Sequence, residues 1–225
     1  MKIELHAHTA ECDTYAALKG FELVRHYYSA GYGGIVITDH YFSMFFDWFK
    51  DEIEKSNKRK TIERYLRGYY SARNEGEKLG FAVLCGAEVR LADTVNDYLV
   101  YGLDEEDFYI LPFLNEFNNV RELVSALPDY AVVVQAHPFR DNMTVCNPNL
   151  LFGIEVYNGG TEMFRNEMAQ VYAEHYGKRM TSGSDVHKLK HVALGGIETN
   201  RDIRTSRELV DVLKSGEYSL IKTQK

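Results

Sequence analysis

The sequence predicts an α/β fold in which helices flank a mainly parallel sheet. Short β-branched runs alternate with longer amphipathic stretches, beginning with KIELHAH, a helical pattern through Leu18, Leu23 and Tyr27, a GYGG break and the run IVITDH. This order is typical of a β-α-β unit. About seven strands separated mostly by helices indicate a sheet that is closed into a barrel or doubly wound.

The remaining elements follow in the same alternation. Apolar or alternating runs bounded by turn residues predict strands, and apolar spacing of three to four residues predicts helices. Further strands are predicted at 81–91, 97–101, 131–136, 153–157, 178–182, 194–198 and 218–221. Helices are predicted at 47–79, 120–127, 161–176 and 206–214.

Composition favours a single globular domain over residues 1–225. The chain is 45% hydrophobic and 26% charged, and it has only four prolines that could mark a linker between domains. A formal charge of −7 argues against binding to a nucleic-acid polymer or an anionic membrane. Three cysteines without a C-x-x-C pair, and an N-terminus without a long apolar run, lead us to expect a cytoplasmic protein. Its oligomeric state stays open.

The segment YFSMFFDWF, residues 41–49, concentrates aromatic side chains directly after a predicted strand. One interpretation is a buried helix stripe through Phe42, Phe45 or Phe46, and Phe49. The other is a pocket wall or lid over the carboxyl end of the sheet. The segment also holds Trp48, the only tryptophan of the chain.

Ligand-type side chains recur where predicted strands end. Alternation places the paired residues of H-x-H and D-x-H on one face of the chain. An acid inside an apolar strand is costly to bury unless it is paired or bound to a cation. The residues concerned are His6, His8, His40, Glu88, His137, Asp185 and His187.

Strand ends of a parallel α/β fold meet on one face, so these side chains are expected to converge. Nitrogen and oxygen ligands without thiolates suit zinc, manganese or iron, and the sequence does not choose among them. Seven candidates exceed the three protein ligands that one catalytic zinc ion takes. The pattern therefore predicts two or three divalent ions.

The ordered series LHAHT, ITDH, GAEV, AHPFR, EVYNG and GSDVH resembles the PHP family, the polymerase and histidinol phosphatase domain. The resemblance covers nearly the whole chain. It implies a distorted (β/α)7 barrel with a trinuclear centre, in which a metal-bound hydroxide attacks a phosphoester. One ion would be held by His6, His8, Glu88 and Asp185, a second by Asp13, His40 and His187, and a third by Glu88, Asp97 and His137.

Two of these positions match the family pattern only in part. Asp13 stands in the loop TAECDTY, where Glu11 is the alternative ligand. Asp97 stands in NDYLVYG, where relatives often carry histidine. A turn aspartate that opens a strand is the alternative role for Asp97, and the third site would then be weak or empty.

The proposed catalytic set is Glu88, His137, Asp185 and Arg140. A guanidinium matches phosphate oxygens, and Arg140 is the best placed, with Arg90 next. Asp39 and Asn158 are expected to orient ligands, and His191 is a candidate for substrate contact.

A small phosphomonoester is the expected substrate, and a diester stays open. Two other functions compete with this one. An amidohydrolase or TatD-like barrel also begins with H-x-H, but the D-x-H pair at Asp185 and His187 favours the PHP interpretation. A catalytically silent PHP-like binding module would be expected to have lost ligands.

Overall fold

The computed structural model describes residues 1–54, 56–92 and 94–223. The strands are β1 Lys2–Glu4, β2 Gly34–Ile37, β3 His40–Tyr41, β4 Ala82–Cys85, β5 Ala87–Arg90, β6 Asp97–Tyr101, β7 Val132–Gln135, β8 Gly153–Asn158, β9 Arg179–Gly183, β10 Gly195–Glu198 and β11 Ser219–Lys222. The helices are α1 Gly20–Ser29, α2 Ser43–Trp48, α3 Lys58–Tyr65, α4 Arg67–Leu79, α5 Glu105–Ile110, α6 Val120–Ala126, α7 Met163–His175 and α8 Ser206–Ser215. Among the helices described, none is long and apolar enough to cross a membrane.

The strands form two mixed sheets, which confirms the α/β class. Among the described strands, five pairings are parallel and four are antiparallel, so parallel pairing prevails only narrowly. One sheet has the order β11-β10-β1-β2-β4 and the other β3-β5-β6-β7-β8-β9. Strands β5, β6 and β7 pair antiparallel, as do β1, β10 and β11. The link between β5 and β6 is too short for the crossover that a parallel pair needs, which takes about a dozen residues or more.

The two sheets are linked at the ends of β1 and β9. An isolated parallel bridge joins Ala7 to Val186, and the Thr38 amide donates to the Ala7 carbonyl at 2.9 Å. These contacts place the chain that follows β1 between the segments that follow β2 and β9. The predicted (β/α)7 barrel stays a prediction, because the described residues form two sheets.

Two predicted elements are divided in the structure. The range predicted as one helix, 47–79, contains the last two residues of α2 followed by α3 and α4. The Asn57 side chain caps α3 by accepting from the Lys60 amide at 3.1 Å. The strand predicted at 81–91 is interrupted at Gly86, where an added Cβ would lie 2.9 Å from Val36 Cγ1. Helix α5 was not predicted, since six residues carry little periodic signal.

The aromatic segment 41–49 supplies both a core stripe and a surface wall. Phe45 and Phe46 are buried with Tyr65 in the largest apolar cluster. Phe42 instead stacks edge-on against His40, with ring centroids 4.5 Å apart. Both interpretations of the segment therefore hold, each for different residues.

Helices α1 and α4 approach each other closely at Gly20. A Cβ there would lie 2.3 Å from the Gly68 carbonyl oxygen and 2.8 Å from the Ala72 amide. We expect Gly20→Ala to lower the free energy of unfolding by about 1–3 kcal/mol through overpacking, measured by urea denaturation. The matched control is Gly33→Ala, whose Cβ would meet only the flexible Met1 side chain. Equal stability of both variants would contradict this close packing.

Candidate metal centre

Eight of the nine predicted ligand residues converge where the two sheets meet. They lie after β1, within β3 and β5, after β7 and after β9. Six of the eight residues are buried, whereas the side chains of His40 and His187 are 14% and 19% exposed. The eight residues are His6, His8, Asp13, His40, Glu88, His137, Asp185 and His187.

Four of these side chains form a compact first group. His6 Nε2 lies 3.4 Å from Glu88 Oε2 and 3.6 Å from Asp185 Oδ1, and His8 Nε2 lies 3.3 Å from each of the same two oxygens. Neither ring nitrogen has a hydrogen-bond partner. Ligands held at 2.0–2.1 Å around a tetrahedral ion are roughly 3.3 Å apart. The four imidazole–carboxylate distances in this group, 3.3–3.6 Å, are close to that spacing.

A second group lies around Asp13. Its Oδ2 atom is 3.1 Å from His40 Nδ1 and 3.0 Å from His187 Nε2. Asp13 Oδ2 and His40 Nδ1 are buried without a hydrogen bond of good geometry. The alternative ligand Glu11 is directed elsewhere and accepts from the Gly20 amide at 3.0 Å. The structure thus places Asp13, and not Glu11, at the centre.

Asp97 is the predicted ligand that the structure does not bring into a metal-type group. Its carboxylate accepts from Arg90 Nε and Nη2, both at 2.7 Å. The distance from Asp97 Oδ2 to His137 Nε2 is 3.9 Å, whereas Glu88 Oε1 lies 3.0 Å from that nitrogen. Asp97 is the first residue of β6, as its alternative role predicts. Its carboxylate is paired with Arg90.

Burial and neighbouring charge set the protonation of the imidazoles. Burial lowers the pKa of His8 to about 3, and the positive charges of His40 and His187 add to the effect. Burial also disfavours protonated His40, but the Asp13 and Glu88 carboxylates outweigh it and raise the pKa of His40 to about 9. His8 therefore offers neutral nitrogen atoms at neutral pH, which is the form that binds metal.

Glu155 is a buried site residue that the sequence analysis missed. Its Oε1 atom lies 2.8 Å from His6 Nδ1, and its Oε2 atom accepts from the His137 amide at 3.0 Å and from Asn158 Nδ2 at 2.9 Å. Asn158 Nδ2 also lies 3.2 Å from Asp185 Oδ2. Glu155 stands inside an apolar strand, the same signal that singled out Glu88.

Glu4 is a second buried carboxylate that the sequence analysis missed. Its Oε1 atom accepts from the amides of His6 at 2.9 Å and Ser184 at 2.8 Å. Its Oε2 atom accepts from the Tyr27 hydroxyl at 2.6 Å and from the Ser184 hydroxyl. Glu4 therefore ties the chain that carries His6 to the chain that carries Asp185.

The remaining predicted orienting residue, Asp39, acts on the loop after His8. Its two oxygens accept from the Thr9 amide at 2.6 Å and the Thr9 hydroxyl at 2.8 Å. Burial raises the pKa of Asp39 to about 7, even though the Thr9 hydrogen bonds favour its ionised form. Its backbone carbonyl oxygen accepts from the amide of the proposed ligand Glu88 at 3.2 Å.

Two of the proposed ligands have a backbone conformation that is rare for residues other than glycine. His137 has φ = 27° and Asp185 has φ = 51°. Such residues cost about 1–3 kcal/mol each and are retained where the surroundings enforce them, often at functional sites. The Glu155 bond to the His137 amide is one such restraint.

A cavity of about 480 Å³ opens above the centre. Its lining is part apolar and part cationic, and Asp185 and His187 contribute to it. Arg140 Nη1 lies 3.7 Å from Asp185 Oδ2 and 3.4 Å from His137 Nε2. The other lining residues are Tyr15, His40, Phe42, Met44, Arg90, Asp97, Gly160, Lys188 and His191.

Comparison with known families and structures gives a consistent result. Residues 164–218 match the family model described as PHP-associated. No curated protein matches the sequence. A two-domain protein from Bacteroides vulgatus ATCC 8482, containing a predicted PHP-like metal-dependent phosphoesterase, superposes with a TM-score of 0.66 at 17% identity. The match covers 99% of this chain but only 65% of that protein.

Two further solved structures are similar over almost their whole length. PsfC from Pseudomonas syringae PB-5123 has a TM-score of 0.68 at 15% identity, covering 99% of this chain and 91% of that one. An amidohydrolase from Chromobacterium violaceum, with bound sulfate and no metal, has a TM-score of 0.59 at 14% identity and covers 95% and 97%. Identities this low show the fold alone. With the family match they confirm the resemblance to the PHP family.

The position of Glu155 behind two ligand-bearing segments leads to a prediction. We expect Glu155→Gln to weaken metal binding about 10–100-fold, because partners behind the ligands fix imidazole orientation and basicity. The measurement is the apparent Kd for Zn²⁺ in competition with a chromogenic chelator. Glu174→Gln, an exposed change on α7, is the control. An unchanged Kd in Glu155→Gln would show that His6 needs no such support.

Proposed function

We propose that this chain, which has a PHP-like fold, is a metal-dependent phosphoesterase that hydrolyses a small phosphomonoester. The observation that carries the proposal is the first group, His6, His8, Glu88 and Asp185, whose imidazole nitrogens lie 3.3–3.6 Å from the carboxylate oxygens beneath a cationic cavity. Buried carboxylates and unpartnered imidazole nitrogens at this spacing are suited to a divalent cation.

The donor set fits divalent zinc, manganese or iron. His6, His8, Glu88 and Asp185 would hold one ion, and Asp13, His40 and His187 would hold another. Glu88 also contacts the second set, because its Oε2 atom lies 2.9 Å from His40 Nε2. Bound divalent ions would lower the pKa of a water molecule and neutralise charge on the phosphoryl group.

The remaining groups position the substrate. Arg140 is half-exposed and reaches over Asp185 and His137, so its guanidinium can bind phosphate oxygens in a forked geometry. Asp185 is part of the cavity lining, and Glu88 contacts His137 at 3.0 Å. Lys188 and His191 lie at the cavity rim, where they would contact the part of the substrate outside the phosphoryl group.

The shape and charge of the cavity favour a small substrate. Its volume is about 480 Å³, and Tyr15, Phe42 and Met44 are apolar parts of its lining. Sulfate, which the Chromobacterium violaceum protein binds, is a tetrahedral dianion like phosphate. The formal charge of −7 opposes binding of a nucleic-acid polymer.

An amidohydrolase activity is the second candidate, favoured by the similarity in fold to the Chromobacterium violaceum amidohydrolase. The two candidates differ in the bond that is cleaved. Three cationic side chains, Arg90, Arg140 and Lys188, line this cavity and favour the phosphoester.

The test is a substrate screen that includes a variant of Glu88. We expect the purified protein, supplied with Mn²⁺ or Zn²⁺, to hydrolyse phosphomonoesters, and Glu88→Ala to lower kcat/KM by at least about 10²–10³-fold through loss of charge stabilisation. Chelation should remove the activity of the unmodified protein. The control is Glu63→Ala, which removes an exposed carboxylate paired with Arg59.

Two results would count against this assignment. Hydrolysis that survives Glu88→Ala unchanged would exclude the role given to Glu88. Cleavage of amide substrates without any cleavage of phosphoesters would favour the second candidate.

The place of Trp48 beside the cavity gives an independent binding assay. Its ring lies edge-on to Phe42 and Tyr15, with centroids 5.8 and 5.5 Å away, and both neighbours line the cavity. We expect inorganic phosphate to cause a saturable change in the fluorescence of the metal-loaded protein. Arg140→Gln should shift the midpoint to higher phosphate concentration. Fluorescence that does not respond would contradict a phosphate site in this cavity.

A further inference from the structure

The position given by family resemblance to a third metal ion holds an arginine ion pair in this chain. We infer that the Arg90–Asp97 pair replaces the third ion, so that the centre binds two divalent ions. The inference rests on the proposed function, since it concerns the same centre. It concerns the number of ions and the group that supplies the missing positive charge.

Sheet register builds the pair beside Glu88. Strands β5 and β6 pair antiparallel with Arg90 opposite Asp97 and Glu88 opposite Leu99. Directly opposed residues project from the same face of a sheet, and so do residues two apart on one strand. Glu88, Arg90 and Asp97 therefore lie on one face of the sheet, so the Arg90 guanidinium can reach the Asp97 carboxylate on the neighbouring strand.

The carboxylate of Asp97 is engaged on both oxygens. The two 2.7 Å contacts are bidentate, and Asp97 is 2% exposed. The distance from Asp97 Oδ2 to the predicted co-ligand atom His137 Nε2 is 3.9 Å, compared with 3.3–3.6 Å between imidazoles and carboxylates in the first group. A divalent ion on Asp97 would lie against a guanidinium, and the two positive charges would repel.

The other ligands left for a third ion are too few. His137 Nε2 and Glu88 Oε1 face each other at 3.0 Å, but Arg140 Nη1 lies 3.4 Å from the same nitrogen. His6 Nε2 is near them, but it already belongs to the first group. Two available ligands beside two guanidinium groups fall short of the three that a catalytic zinc ion usually takes.

Arg90 can supply part of the charge that a third ion would bring. A guanidinium has five N–H donors, and Asp97 takes two of them. Arg90 also lines the cavity and lies over the Phe42 ring at 5.2 Å. Its remaining donors are thus available to an anionic substrate, in an orientation that Asp97 and Phe42 hold fixed.

The experiment counts ions. The protein is saturated with Mn²⁺, freed of excess ion by desalting, and measured by inductively coupled plasma and native mass spectrometry. We expect two ions per chain in the unmodified protein and in Asp97→Asn, because Asp97 is not a ligand. Arg90→Gln frees the carboxylate and is expected to bind three, and the double variant Arg90→Gln/Asp97→Asn is expected to return to two. The control Arg67→Gln removes an exposed arginine paired with Glu52 and should leave the count at two.

Each count decides between the proposals. Three ions in the unmodified protein, a lower count in Asp97→Asn, or two ions in folded Arg90→Gln would overturn the inference and leave the proposed function standing. No bound ion in the unmodified protein would overturn the proposed function and the inference with it. Circular dichroism establishes folding, and if Arg90→Gln fails to fold, the counts of the unmodified protein and Asp97→Asn carry the test.

Discussion

The structure depends on one constraint, which is the need to compensate carboxylates buried together. Asp13, Glu88 and Asp185 lie among imidazoles at the junction of the two sheets, almost shielded from water. Ionised carboxylates at such depth are unfavourable unless cations or donors surround them. The spacing of the first group shows how one cation would satisfy two carboxylates and two imidazoles together. The same buried side chains therefore form the proposed metal site and the junction between the two sheets.

Carboxylates also hold the ligand-bearing segments in place. Glu4 joins the end of β1 to the start of the Asp185 segment, and Glu155 joins His6 to the backbone of His137. Each replaces water with several donors from chain segments far apart in sequence. Glu4 and Glu155 therefore hold the three segments that follow β1, β7 and β9. This restraint explains how Asp185 and His137 keep an unfavourable φ.

Local sequence pattern predicted which side chains converge better than it predicted the topology. Four of these residues could be identified because each follows a predicted strand that is recognisable from its own sequence. They are His6, His8, His137 and Asp185. The short link between β5 and β6 indicates antiparallel pairing, but it does not determine which residues lie opposite each other. The same register determines the partner of Asp97, which is why a residue with the right chemistry for a ligand is bound by Arg90 instead.

The missed carboxylates have a different cause. An acidic side chain in an apolar strand signals burial, as Glu88 and Glu155 both illustrate, but burial alone does not tell which partner compensates it. For Glu88 a flanking motif suggested a cation, whereas Glu155 and Glu4 are compensated by amides, a hydroxyl and an imidazole. Periodicity does not encode these donors, because they come from elements distant in the chain.

An acidic chain can still be built for phosphate chemistry if its positive charge is local. The formal charge of −7 includes the carboxylates that line the centre, and divalent ions there would reverse the sign of the field that a phosphate meets. Arg140 and Arg90 add two fixed charges at the cavity wall. Ions provide charge close to the reacting phosphoryl group, whereas guanidinium groups provide orientation through paired donors. A centre that exchanges one ion for an arginine gives up some field strength and gains directional binding.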